Sequence, residues 1–117
     1  TTLWVDNEQQ LDAITAVSGS GPAYFFAFME AMIAHGEALG LSHEQASALT
    51  LQTALGAATL ASEQQIAIDT LRHNVTSPGG TTERALNAFQ AGGLDALVSR
   101  AMDACYARAG EMAEEFK

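Results

Sequence analysis

An all-α fold is predicted by three features of this 117-residue sequence. Apolar residues recur at helical spacings along most of the chain, Gly- and Pro-containing clusters fall between those runs, and no stretch of useful length alternates apolar with polar residues as a half-buried strand would. Leu11 to Val17 forms a first short apolar segment, stopped by "SGSGP". Pro22 then suits the first turn of a new helix, since its missing N–H is not needed there. From Ala23 to about Leu39 the sequence "AYFFAFMEAMIAHGEAL" is apolar on nearly every face, so this helix must be covered all round. Gly40 ends it. Ser42 and Gln45 are spaced as a capping box for a third helix reaching roughly Ala61. The small residues Ala54, Gly56, Ala57, Ala58 and Ala61 let another backbone approach, and the expectation is that this helix packs on the aromatic one as the core. Beyond the polar "SEQQ", Ile66 to Val75 makes a fourth helix, and Thr81 or Thr82 to Gln90 a fifth, closed by Gly92 and Gly93. The last begins near Leu94 and carries Leu94, Leu97, Val98, Ala101, Met102, Cys105, Ala109, Met112 and Phe116 as an apolar stripe.

Composition limits what such a bundle can do. The length suits one domain, residues 1–117. Fourteen acidic residues face five basic ones, and the scattered Arg72, Arg84, Arg100, Arg108 and Lys117 form no stripe to neutralise a phosphate backbone, so nucleic acid is not expected as a partner. The strongly apolar run Ala23 to Ala34 is broken by Glu30 and is too short to span a membrane, so no membrane partner is expected either. One cysteine, Cys105, cannot form an internal disulfide, and the beginning "TTLWVDNEQQ" lacks the character of a signal peptide; a reducing cytoplasm is the expected location. A chain starting at Thr1 is expected to have been processed or cut from a longer one.

Catalytic and metal-binding constellations are sparse. His35, His43 and His73 have no metal-type partner at helical spacing, so no metal is expected. Cys105, on the stripe of the last helix, reads as a buried structural thiol. "GSG" at Gly19 to Gly21 fails as a dinucleotide fingerprint, because Tyr24 stands where the third glycine belongs and no strand precedes it. Ser18 likewise breaks the hydrolase-elbow pattern. Asn74-Val75-Thr76 satisfies the glycosylation pattern and is read as incidental.

The stretch "VTSPGGTTERAL" is more pointed. The first N–H groups of a helix lack intrahelical acceptors, and the macrodipole adds roughly half a positive charge there, so such an end attracts anions. Gly79 and Gly80 permit a sharp turn and a close approach to the N–H groups of Gly80, Thr81 and Thr82, where a carboxylate would fit without a lysine. Arg84, in the first turn, opposes the dipole unless an anion or acid compensates. The alternative is structural, with Pro-Gly-Gly merely turning the chain and a threonine capping the helix.

"LDAITAVSGSGPAYFF" followed by "NVTSPGGTTERAL" and a long final helix resembles the C-terminal domain of pyrroline-5-carboxylate reductase over nearly the whole chain. The resemblance implies an interlocking helical dimerisation domain, with an N-terminal Rossmann domain, absent from this chain, binding most of the NADPH or NADH. The implied reaction is reduction of 1-pyrroline-5-carboxylate to L-proline, the last step of proline biosynthesis. It also implies substrate binding at Ser77, Pro78, Gly79, Gly80, Thr81 and Thr82, with backbone N–H groups gripping the carboxylate and Thr82, the catalytic candidate, reaching the ring nitrogen. Ser18 and Ser20 become secondary site candidates through "SGSGPAY". A homodimer, extended to a ring of dimers, follows from the same resemblance, as does an isolated chain without reductase activity. The alternative is a structural oligomerisation module with no ligand.

Overall fold

The computed structural model describes residues 7–115, and among these every regular element is helical. In chain order they are α1 (Glu8–Ile14), a π-helical turn (Thr15–Gly19), α2 (Gly21–Ala38), α3 (His43–Gln64), α4 (Ile68–Asn74), α5 (Thr81–Ala91) and α6 (Leu94–Glu115). The described residues divide into two compact units, one formed by residues 7–25 with 92–115 and the other by residues 26–91.

The first unit packs α1 and the π turn on α6. Asn7 starts α1 by accepting the Gln10 N–H at 2.9 Å. Where "SGSGP" suggested a plain turn between helices, the backbone instead widens by one residue, with the Ser20 N–H reaching back to the Thr15 carbonyl at 2.9 Å. A π register leaves a carbonyl out of the regular ladder, and the Tyr24 hydroxyl donates to that of Ala16 at 2.7 Å. Ala16 is buried, 3% exposed. Gly110 of α6 faces Asp12 of α1, where a Cβ would stand 3.4 Å from the carboxylate. Cys105 is half-buried rather than fully buried, and its thiol donates to Ser20 Oγ at 3.2 Å. The Ser20 hydroxyl, then that of Tyr24, favours the thiolate and lowers the Cys105 pKa against the opposing effect of desolvation. The same interaction with Cys105 raises the Tyr24 pKa, aided by desolvation. Phe116, the end of the expected stripe, lies outside the described residues.

The second unit is built on helix caps. Gly40, at φ +109°, ends α2 in a Schellman motif: the Gly40 N–H bonds the Glu37 carbonyl at 3.0 Å and the Leu41 N–H that of Gly36 at 3.1 Å. Ser42 and Gln45 form the expected capping box, with reciprocal bonds of 2.9 and 3.0 Å. Helix α3 runs three residues past Ala61, through the polar break, and stops where Gln65 turns left-handed at φ 52°. Ala46 and Thr50 are buried, and Phe28 of α2 meets Phe89 of α5 with ring centroids 5.9 Å apart.

One expectation fails here. Helices α2 and α3 do not pack along their lengths to form the core. They approach at their linked ends, where a Cβ on Gly36 would lie 3.3 Å from that of Ala46, and then part. The Schellman turn fixes that departure. The small-residue face of α3 is therefore left largely open, with Gly56, Ala57 and Ala58 exposed. Phe25 is 70% and Phe26 61% exposed, so the cover that α2 requires is not supplied by α3.

Because the capping box joins two otherwise separate helices, Ser42→Ala should lower the unfolding free energy by about 1 kcal/mol in urea denaturation, and Ser42→Gly by only a few tenths. No loss for Ser42→Ala would show that the side-chain cap contributes nothing.

Candidate functional site

The corner before α5 is assembled from bonds that are all local in sequence. Helix α4 closes with the Thr76 N–H on the His73 carbonyl at 3.0 Å and the Thr76 hydroxyl on that of Arg72 at 2.6 Å. The next four residues make a type II turn: Pro78 sits at its second position, Gly79 at the third with φ +74°, and the Gly80 N–H donates to the Ser77 carbonyl at 3.1 Å. Gly79 is needed for that left-handed backbone, and Gly80 for space, since a Cβ there would stand 3.2 Å from the Ser77 oxygen.

This geometry changes the assignment of donors. The Gly80 N–H, expected to face a ligand, is committed inside the turn. The Gly79 N–H is also occupied, by Glu83 Oε1 at 3.0 Å. Helix bonding resumes with the Arg84 N–H on the Gly80 carbonyl at 3.4 Å. The amides left for a ligand are those of Thr81, Thr82 and Glu83, the first three residues of α5, which have no intrahelical acceptor and sit at the positive end of the dipole. Thr82 is exposed in that first turn, and Ser77, Pro78, Gly79, Gly80 and Thr81 lie together with it.

Glu83 is not among the residues that the sequence singles out. Its signal was positional: an acid at the third residue of a helix can reach back over the preceding turn, as in a capping box. It is also the acid that offsets Arg84 near the dipole's positive end.

Ser18 and Ser20 belong to the other unit. The Ser18 hydroxyl donates to the Ile14 carbonyl at 3.0 Å, and Ser20 receives the Cys105 thiol, so both have partners within their own turn and its neighbour helix. His43 pairs with Glu37 across the α2–α3 corner at 3.1 Å, well away in sequence from the Gly79 turn. Among the described residues, no group of three or more His, Cys, Asp or Glu is arranged to hold a metal ion, and no helix is long and apolar enough to cross a membrane.

Comparison with known proteins places this architecture. The family model described as pyrroline-5-carboxylate reductase dimerisation matches residues 8–112. The chain is 58% identical over 113 residues to a pyrroline-5-carboxylate reductase of Pseudomonas aeruginosa, covering 97% of this chain and 41% of that protein. It is 46% identical over 112 residues to the Haemophilus influenzae enzyme of the same name, covering 95% and 41%. Among solved structures, a pyrroline-5-carboxylate reductase from Coxiella burnetii superposes with a TM-score of 0.89 at 49% identity, over 93% of this chain and 40% of that one. A Plasmodium falciparum pyrroline carboxylate reductase, solved with NADP bound, superposes with a TM-score of 0.86 at 33% identity, over 92% and 41%. The chain spans about two fifths of the length of these relatives. With a match across almost all of its helices, the chain belongs to the pyrroline-5-carboxylate reductase dimerisation family.

Proposed function

We propose that residues 1–117 act as one helical dimerisation and substrate-binding domain of a cytoplasmic pyrroline-5-carboxylate reductase, which reduces 1-pyrroline-5-carboxylate to L-proline. The observation that carries the reading of the corner is the Ser77–Gly80 turn feeding α5, which uses the glycine amides internally and leaves those of Thr81 and Thr82 at the helix end. The cofactor is NADPH or NADH, bound mainly by residues outside this chain, in keeping with the NADP-bound relative. The active unit is an interlocked homodimer, arranged further as a ring of dimers; the exposed aromatic surface of α2 supports an intermolecular cover. Nucleic acid and membrane have no part in it.

In this reading the substrate carboxylate lies against the Thr81 and Thr82 amides, where it gains charge-assisted hydrogen bonds and the helix dipole. That anchors one side of the ring and sets the imine carbon toward the nicotinamide, whose contribution when bound is the hydride. The Thr82 hydroxyl orients and polarises the ring nitrogen. An unactivated threonine is a poor acid, so it takes part as a hydrogen-bond group and water supplies the final proton. Ser77, Pro78, Gly79 and Gly80 act by shaping the turn.

Steady-state kinetics of two full-length variants test this division of labour, provided sedimentation shows both assembled. Gly80→Val places side-chain carbon against the Ser77 oxygen and should raise KM for the imino acid sharply at saturating NADPH. Thr82→Val keeps shape and backbone N–H, so it should lower kcat by roughly tenfold to a thousandfold, about 1.4 to 4 kcal/mol of transition-state stabilisation. Normal kcat for Thr82→Val removes its hydroxyl from the chemistry, and normal KM for Gly80→Val returns the corner to a purely structural role.

A further inference from the structure

The reductase reading does not explain why a carboxylate already stands at a helix end proposed to bind one. Glu83 is half-buried in the first turn of α5, and its Oε1 accepts the Gly79 N–H at 3.0 Å. Gly79 is the residue whose φ of +74° defines the turn, and the neighbouring Gly80 N–H is the turn's closing donor. Two successive glycines have few intrinsic restraints, because each can populate backbone regions closed to other residues. Something must select one conformation from them. The Ser77–Gly80 bond restrains one peptide, and Glu83 ties the adjacent one to the helix that follows.

We infer that Glu83 is a positioning residue for the substrate carboxylate: by holding the Gly79 amide it locks the Ser77–Gly80 turn in the form that leaves the Thr81 and Thr82 amides open. This rests on the corner being the substrate site. Glu83 acts through its reach and its acceptor oxygen, not through charge. An anion at this end offers the substrate carboxylate no attraction, and the Gly79 amide needs only an acceptor at the right distance. Ordering the turn in advance removes part of the entropic cost of binding, so its loss weakens binding while the bound complex remains competent.

Substitutions of different reach and charge separate these contributions in the full-length enzyme. Glu83→Gln keeps length and acceptor, so its KM for pyrroline-5-carboxylate should stay within about twofold of the parent. Glu83→Ala removes the acceptor, and Glu83→Asp retains charge but withdraws it from Gly79 by one methylene; both should raise that KM, Ala by about tenfold. Across all three, kcat and the KM for NADPH should hold within about twofold, a split that general destabilisation would not produce. Glu83→Asp also keeps an acid in the first turn, so it reports on binding even where the alanine variant fails to assemble. Parental KM for Glu83→Asp, or a Gln variant as impaired as Ala, would overturn the role assigned to Glu83. If that happens while Gly80→Val and Thr82→Val remain impaired, the corner stands as the site and only Glu83 loses its place; parental behaviour in every variant would dismiss the site itself.

Discussion

The apolar surface of α2 is the constraint from which the rest follows. Phe25 and Phe26 lie in a helix that the chain surrounds with almost nothing, while the buried apolar residues among those described are Ala16 and Ala46. Burying a large apolar side chain typically stabilises by about 1.5 to 3 kcal/mol, and two alanines cannot offset the conformational entropy lost on ordering such a chain. The missing hydrophobic term has to come from surface outside these residues. Family membership supports a second copy as its source, and the exposed small residues of α3 are suited to a close intermolecular approach.

Local chemistry explains how the helices keep their form while their faces await a partner. The Schellman motif at Gly40, the reciprocal Ser42–Gln45 cap and the Tyr24 bond to the Ala16 carbonyl satisfy backbone groups through bonds between residues close in sequence. The Gly79 corner follows the same rule. Its bonds join residues no more than four apart, so the turn and the amides it presents are set by the sequence around them. Binding geometry is thus built into a helix end, and burial is left to assembly.

Helix boundaries were the part most readable from sequence, because their signals are short-range. Gly40, the Ser42–Gln45 spacing and Gly93, at φ +82°, each mark an end that the structure shows, and the all-α class follows from them. The family resemblance rested on two motifs flanking such ends, and the comparisons uphold it. What periodicity could not reveal was which apolar face meets which. Helix α3 has the small residues a close neighbour needs, yet α2 comes near it only around Gly36, at their linked ends, and no spacing rule distinguishes a partner in the same chain from one in another. Fine hydrogen-bond assignment was equally hidden. That Gly80 spends its N–H on Ser77, that Glu83 claims Gly79, and that Cys105 is only half-buried beside Ser20 depend on backbone paths below the resolution of a pattern. The π turn at Thr15–Gly19 looks in sequence like any Gly-Ser break, and only the Ser20–Thr15 bond distinguishes it.

The most direct test of this account is the concentration dependence of unfolding for the isolated 117-residue chain. If stability resides mainly between copies, the urea midpoint must rise with protein concentration, because folding is then linked to association by mass action. Circular dichroism at roughly 1 and 100 μM should show that rise, equivalent to about 2.7 kcal/mol of apparent stability for a two-state dimer over a hundredfold range. A cooperative transition with the same midpoint at both concentrations, with sedimentation confirming a folded monomer, would contradict it.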